Sequence, residues 1–213
     1  MAHVRFMRSA ACGALLALLF FPDLPAAAAP APASSPAQAD GIVSAAVDDL
    51  WAQTDAYWHV GDYPRIIALD RIITQADPHF VESFNTGAWL MWSSGLDSDA
   101  EAFYQQAVQN NPHTPAAYYD YGQFLFNHKH DYHGAIRVFT QDVARAQPGV
   151  LDWRMLAHSY EKAERWDRAV AVWRRIKARW PHGAPGDPSH GGVDDRNLQR
   201  ALSHLKAAPQ PEL

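Results

Sequence analysis

Two stretches of this chain decide its fold: 81-VESFNTGAWLMWSSGLDSDAEAFYQQAVQNNP-112 and 150-VLDWRMLAHSYEKAERWDRAVAVWRRIKARWP-181. They align without gaps, and several residues at matching offsets are similar in chemical character. The matched pairs are Phe84 with Trp153, Ala88 with Ala157, Ala100 with Ala169, Tyr104 with Trp173, Ala107 with Ile176 and Pro112 with Pro181. A fixed internal period of this kind indicates a repeat architecture, in which each copy is one supersecondary unit.

The spacing of apolar residues within each stretch predicts two helices joined by a short turn. A small residue on the first helix (Ala88, Gly122 or Ala157) is expected to face a small residue on the second (Ala100, Ala135 or Ala169), which lets the backbones approach closely. Proline cannot continue a helix, so it ends each second helix. One pair cannot bury its own apolar face, and stability therefore comes from stacking neighbouring pairs.

This pattern resembles the tetratricopeptide repeat, a pair of antiparallel helices with a period of about 34 residues. The resemblance implies an all-α fold: a right-handed solenoid of about four antiparallel helix pairs with a C-terminal capping helix. The copies are expected at about 47–80, 81–114, 115–149 and 150–181, within a repeat domain that spans 41–181. The first copy is degenerate, with Asp70 and Ile73 out of pattern, and the third has an extra residue in its inner turn, 128–132, and another near its end.

The beginning of the chain has the order expected of a secretory signal peptide over 1–29, with cleavage between 26 and 33. Arg5 and Arg8 precede an apolar run that is shorter than the roughly 20 residues needed to span a bilayer. An uncleaved anchor is the alternative. Cleavage would remove Cys12, the only cysteine, and no transmembrane segment is expected afterwards. The sequence therefore predicts a periplasmic or secreted protein of bacterial type.

Three further segments flank the repeats. Residues 30–40 are rich in alanine and proline and are expected to form a flexible linker. A flexible loop over 182–192 is expected to lead into a capping helix over 193–206, with Asp194 as its N-cap and Leu198, Leu202 and Leu205 on one stripe. A partner-docking helix is the alternative interpretation of that segment. Residues 207–213 are expected to form a disordered tail.

Composition and motifs exclude several function classes. The formal net charge of −5 has no concentrated basic patch, which argues against a nucleic-acid partner. No phosphate loop, nucleophile elbow or zinc-protease helix occurs, so we expect neither an enzyme nor a cofactor. His128, His130 and His133 cluster in the third copy, but their spacing matches no metal motif. A solvated polar turn is the simpler interpretation, and no metal site is predicted.

In proteins with this repeat, the first helices line a concave face. By frame, the resemblance implies a groove formed by Trp51, Trp58, Asn85, Trp89, Trp92, Tyr119, Gln123, Phe126, Arg154, His158 and Lys162. This groove is aromatic towards its N-terminal end and charged towards its C-terminal end. The alternative is that Trp89 and Trp92 only pack beneath the next helix. A clamp for a C-terminal carboxylate is disfavoured because Trp51 and Asp55 occupy the positions of its basic residue and asparagine.

These observations predict an exported scaffold that binds a peptide segment or partner protein in its concave groove, as an assembly or adaptor component of the cell envelope. Aromatic anchors would supply contact area, while Arg154 and Lys162 would pair with acidic groups of the ligand. The alternative is a glycan-binding envelope protein that stacks sugar faces on the groove aromatics. Self-association through exposed solenoid ends is a third interpretation.

Overall fold

The computed structural model describes residues 35–145 and 149–207. The expected signal peptide 1–29, residues 30–34 of the expected linker and the tail beyond Ala207 lie outside the described residues. All regular secondary structure in the described ranges is helical. The helices are α1 (Pro36–Val60), α2 (Tyr63–Ala76), α3 (Val81–Ser93), α4 (Asp97–Asn110), α5 (Pro115–Gln123, continued by a π-helical turn over Phe124–His128), α6 (Tyr132–Arg145), α7 (Val150–Lys162), α8 (Trp166–Arg179) and α9 (Gly192–Ala207).

The helices form pairs that stack in chain order. Each helix from α1 to α9 packs against its neighbours in sequence, and the first helices of adjacent pairs also touch, α3 with α5 and α5 with α7. This arrangement is an all-α solenoid of four helix pairs followed by α9, as the repeat pattern predicted. Most of the buried apolar side chains form two clusters, a main one from α3 to Leu156 of α7 and a second one from Trp153 of α7 to Ala201 of α9, and the partly buried Val143, Tyr160 and Val172 pack against both.

Small residues allow the close approach within pairs, although not always with the expected partner. Ala88, Ala100, Ala157 and Ala169 are fully buried. At Gly122, however, a Cβ atom would overlap the ring of Phe139, so this glycine makes room for an aromatic ring on α6. The nearest neighbour of Gly122 is thus Phe139, one turn beyond Ala135, the small residue that the template implied.

Helix α1 begins at Pro36, so the expectation of a flexible linker over 30–40 is wrong for its last residues. Proline is favoured at the first position of a helix because it has no N–H to leave unsatisfied, and alanine and glutamine follow it here. Every residue from Pro36 to Ala46 is exposed, and Val47 is the first buried one. None of the helices in the described part of the chain is long and apolar enough to cross a bilayer.

The extra residue of the third copy is accommodated in its helix and not in its turn. Helix α5 has nine α-helical residues followed by five π-helical ones, whereas α3 and α7 have thirteen each. The N–H of Lys129 donates to the carbonyl of Phe124 at 3.0 Å, a five-residue span that absorbs one additional residue. The apolar face of α5 therefore stays in register with the core.

Helix α9 covers the end of the solenoid. It packs against α8, and Leu198, Leu202 and Leu205 contact a second apolar cluster built around the fully buried Trp173 and Ile176. The expected capping helix is thus present, but its start differs. Because α9 begins at Gly192, Asp194 lies in its first turn and not at its N-cap. Its carboxylate binds Arg154 of α7.

Candidate binding groove

A groove of about 590 Å³ opens between α1 and α3 and reaches Asp120 on α5. Four residues of the predicted concave surface line it, three of them tryptophans from the first two repeats: Trp51, Trp58, Asn85 and Trp89. The remaining lining residues are Ala52, Thr54, Asp55, Ile66, Thr86, Tyr104 and Asp120. The N-terminal half of the predicted surface therefore forms one continuous cleft.

The two most accessible tryptophans of the groove touch each other across the junction of the first two repeats. The rings of Trp58 and Trp89 lie 5.9 Å apart at an angle of 31°, and Tyr63 packs edge-on against Trp58. Trp58 is 44% exposed and Trp89 is 43% exposed. Because side chains of this size bury most of their area in a folded core, such exposure marks surface available for binding.

Trp51 and Trp92 are more enclosed than this pair. The ring of Trp51 packs edge-on against Phe80 at 5.0 Å. Trp92 packs against the main apolar cluster, and its ring lies 4.6 Å from His128 and 6.2 Å from Trp89. Trp92 thus packs against Trp89 and does not line the groove. This is the structural role that was the alternative interpretation of Trp92.

The polar groups of the groove include two carboxylates, Asp55 and Asp120, and the neutral side chains of Thr54, Asn85, Thr86 and Tyr104. Asp55 is exposed, and its carboxylate lies 3.5 Å from the exposed His59 one turn later on α1. Asp120 is half-buried, and burial raises its pKa while a hydrogen bond from Asn85 opposes that rise. Asn85 also donates to the carbonyl of Ala116 at 3.4 Å, which joins α3 to α5. The groove can therefore accept hydrogen bonds and attract a cation.

The predicted residues of the third repeat lie outside this groove. Tyr119 and Phe126 are partly buried and pack against the main apolar cluster. The side-chain amide of Gln123 donates to the Tyr119 hydroxyl at 2.8 Å, and Asn127 donates to Gln123 in turn. These side chains form a polar ladder along one face of α5, with its hydrogen bonds made internally.

Arg154 is not available for a ligand. Its guanidinium donates to Asp194 through Nε at 2.7 Å and through Nη2 at 2.9 Å, and to Asp187 at 2.6 Å. These hydrogen bonds, foremost that with Asp194, raise the pKa of Arg154. The side chain is 17% exposed and Asp194 is 1% exposed. The loop over 182–191, expected to be flexible, is tied to α7 by the same arginine.

His158 and Lys162 complete the predicted charged end. His158 Nδ1 lies 2.9 Å from Glu161, whose carboxylate also accepts hydrogen bonds from Trp173 at 2.8 Å and Arg200 at 2.8 Å. Burial alone would raise the pKa of Glu161, but these partners lower it below its usual value. Lys162 is exposed. Helix α9 thus occupies this end of the concave face through Asp194 and Arg200.

The histidines of the third repeat do not converge. His128 lies 2.9 Å from Asp97, and this hydrogen bond lowers the pKa of that carboxylate. His130 has a φ of 53° and contacts the Tyr132 ring. Asp131, the residue after His130, accepts a hydrogen bond from the Gly134 N–H at the start of α6. No group of three or more histidines, cysteines or carboxylates in the described ranges could hold a metal ion.

Seven of the lining residues were missing from the predicted surface, and three of them show why. Asp120 and Thr86 each come one residue after a predicted concave position. Tyr104, which is buried, lines the groove from α4. The repeat frame assigns one orientation to each offset, so it misses neighbours that tilt towards the cleft. A polar residue next to a predicted concave position, as in Asn85-Thr86 and Tyr119-Asp120, would have been a usable signal.

Comparison with known proteins gives the fold and nothing finer. No protein-family model matches the chain, and no curated protein matches its sequence. Among solved structures, it is similar to a kinesin light chain of Podospora anserina with nearly identical TPR-like repeats: TM-score 0.55, 13% identity, 76% of this chain and 88% of the other. For MamA from Desulfovibrio magneticus the TM-score is 0.50 and the identity 15%, over 76% of this chain and 92% of the other. For YrrB, a TPR protein, the TM-score is 0.50 and the identity 13%, over 77% of this chain and 89% of the other.

The matches to these neighbours cover most of both chains. Their identities, at 15% or less, support an inference about backbone architecture and not about ligands. Together with the internal period and the stacked pairs, they show that this chain has the tetratricopeptide-repeat fold.

Proposed function

We propose that the protein is an exported scaffold that binds a peptide segment of a partner protein in the groove between α1 and α3. The observation that carries this proposal is the exposed pair Trp58 and Trp89, which meet at 5.9 Å in a cleft of about 590 Å³. Tryptophan is enriched at binding hot spots because it buries a large area at little entropic cost. A cleft of this volume suits a few consecutive side chains of an extended chain.

Two other observations support the proposal. YrrB, a neighbour in fold, is described as having an unusual peptide-binding site. The order of charged, apolar and small residues over 1–29 supports export, which N-terminal sequencing of the protein from an envelope fraction would test. A mature N-terminus between residues 26 and 33 is expected. An intact N-terminus would instead favour the uncleaved anchor.

The binding role is tested by affinity capture from the envelope fraction of the source cells, with mass spectrometry of what is retained. The full chain is compared with a Trp58→Ala/Trp89→Ala variant and with Ile72→Ala, which removes a side chain that is 50% exposed on α2 outside the groove. We expect a protein retained by the parent and by Ile72→Ala but lost by the tryptophan variant. Equal retention by all three would refute the groove.

The same experiment separates the glycan alternative. Asn85, Thr86 and Asp120 provide hydrogen-bonding groups beside the exposed rings, which is also the chemistry of sugar recognition. If the parent retains polysaccharide and the tryptophan variant loses no protein, the ligand of the groove would be a glycan.

A further inference from the structure

The charged groups of the groove have a single sign. The residues that line it include Asp55 and Asp120, and no lysine, arginine or histidine of the described chain is among them. This differs from the sequence prediction, in which Arg154 and Lys162 were to pair with acidic groups of the ligand. Arg154 instead holds Asp187 and Asp194, so its charge is already compensated within the protein.

The half of the molecule around the groove has the same sign. From Pro36 to Asn110 the chain has eleven acidic residues and only two basic ones, Arg65 and Arg71, a formal net charge of −9. Each of these arginines is paired with an aspartate, Arg65 with Asp62 and Arg71 with Asp99. From Asn111 to Ala207 the balance reverses to fourteen basic and ten acidic residues, a net of +4. The field at the groove therefore attracts cations.

Aromatic faces next to carboxylates recognise a positive side chain in two ways. An indole ring attracts an ammonium or guanidinium group through its quadrupole when the cation lies over the ring face. A carboxylate adds a charge-assisted hydrogen bond, which is stronger where it is shielded from water, as for the half-buried Asp120. A cation there would also offset the cost of burying an ionised Asp120.

We infer that the groove selects a basic segment, in which a lysine or arginine side chain binds the tryptophan faces and the carboxylates of Asp55 and Asp120, next to an apolar side chain on Trp51. This inference rests on the proposed peptide-binding function and names the chemistry of its ligand. The apolar neighbour follows from the lining, which includes Trp51, Ala52 and Ile66 as well as the two carboxylates.

The test is a selection of random peptides displayed on phage against the full chain. We expect the selected sequences to be enriched in lysine and arginine beside apolar residues. A synthetic peptide of the most enriched sequence should then bind about tenfold more weakly to Asp55→Asn/Asp120→Asn than to the parent. Its binding to the parent should also weaken as the salt concentration rises, because salt screens the charges. The control, Asp49→Asn/Glu82→Gln, removes the same charge from exposed positions outside the groove. It should bind within about twofold of the parent.

The outcomes separate this inference from the function on which it rests. Neutral or acidic selected sequences that still require Trp58 and Trp89 would overturn the basic preference and leave peptide binding intact. Equal loss in the control variant would also overturn it, because the effect would then come from overall charge and not from the groove. Failure to select any peptide that depends on the tryptophans would overturn both proposals.

Discussion

Helices α3 and α7 are the two most similar segments of the chain, and the structure uses them in opposite ways. At matching offsets α3 has Asn85 and Trp89 where α7 has Arg154 and His158. The first two line an open groove, whereas Arg154 is bound to Asp187 and Asp194. The same concave position therefore lines an open groove in one repeat and makes an internal contact in the other. What differs is the segment after the fourth repeat, because the loop before α9 brings Asp187 to α7 and α9 brings Asp194.

The strongest way to break this comparison is to remove the arginine of α7. Arg154→Ala leaves the carboxylate of Asp194, which is 1% exposed, without its cation, and we expect the free energy of unfolding to fall by about 3–5 kcal/mol. Urea titration followed by circular dichroism measures it.

Arg65→Ala is the matched control, since it removes an arginine from an exposed pair with Asp62 and should cost about 0–1 kcal/mol. Similar losses in the two variants would mean that the clamp on α9 contributes no more than a surface pair.

The third residues of the two helices sharpen the comparison through pH. Ser83 of α3 donates to the buried Asp70 at 2.7 Å, while Asp152 of α7 adjoins the buried Asp142. Burial raises the pKa of Asp70 to about 7, which the Ser83 hydrogen bond opposes. Burial and then Asp152 raise the pKa of Asp142 well above its usual range.

An aspartate in the unfolded chain ionises near pH 4, so unfolding releases protons between about pH 4 and the folded pKa. The contribution of each of these two groups to stability is then largest at low pH and is lost as the pH rises through the folded pKa, which is about 7 for Asp70 and is also raised for Asp142. We expect Asp70→Asn and Asp142→Asn each to raise the free energy of unfolding at pH 9 by about 2–4 kcal/mol, with little change at pH 4. A gain that does not depend on pH would contradict the assignment.

A smaller effect is expected from the packing difference between the helix pairs. Gly87 of α3 lies against Phe103 of α4, and a Cβ atom on it would be 2.7 Å from that ring. At the same offsets the fourth repeat has Leu156 and Val172, so the large side chain has moved from the second helix to the first. Gly87→Ala should therefore cost about 1–3 kcal/mol by overpacking, measured by thermal and urea unfolding.

Two variants check that cause. Gly41→Ala changes a glycine of α1 whose Cβ would meet no atom within 4 Å, and it should stabilise the protein by about 0.5–1 kcal/mol. Gly87→Ala combined with Phe103→Leu should recover part of the loss. If the double variant loses at least as much free energy of unfolding as the two single variants together, overpacking is not the cause.

The smallest expected effect is that of Lys162→Ala. The sequence placed this lysine on the ligand surface, but in the structure it is exposed and does not line the groove. We expect peptide affinity to change by less than about twofold, because a distant surface charge is largely screened at physiological salt. A larger loss, measured by titration with a selected peptide, would extend the binding surface to α7.

The sequence by itself determined the helix pairs, their stacking order and the aromatic character of the N-terminal concave face. It did so because a repeated unit places side chains by local periodicity, and proline and small residues mark the same points in each copy. It also predicted α9 as a cap from one stripe of leucines. The start of α1 at Pro36 was missed because a helix that buries nothing before Val47 leaves no apolar pattern.

Only the tertiary structure decided which part of the concave face is open. Whether Arg154 meets a ligand or Asp194 depends on a residue forty positions away, and no periodicity records that distance. The same holds for Asp120, which enters the groove because α5 packs beside α3. Local patterns fix helices and their faces, whereas the partner of a polar side chain is fixed by contacts between elements far apart in the chain.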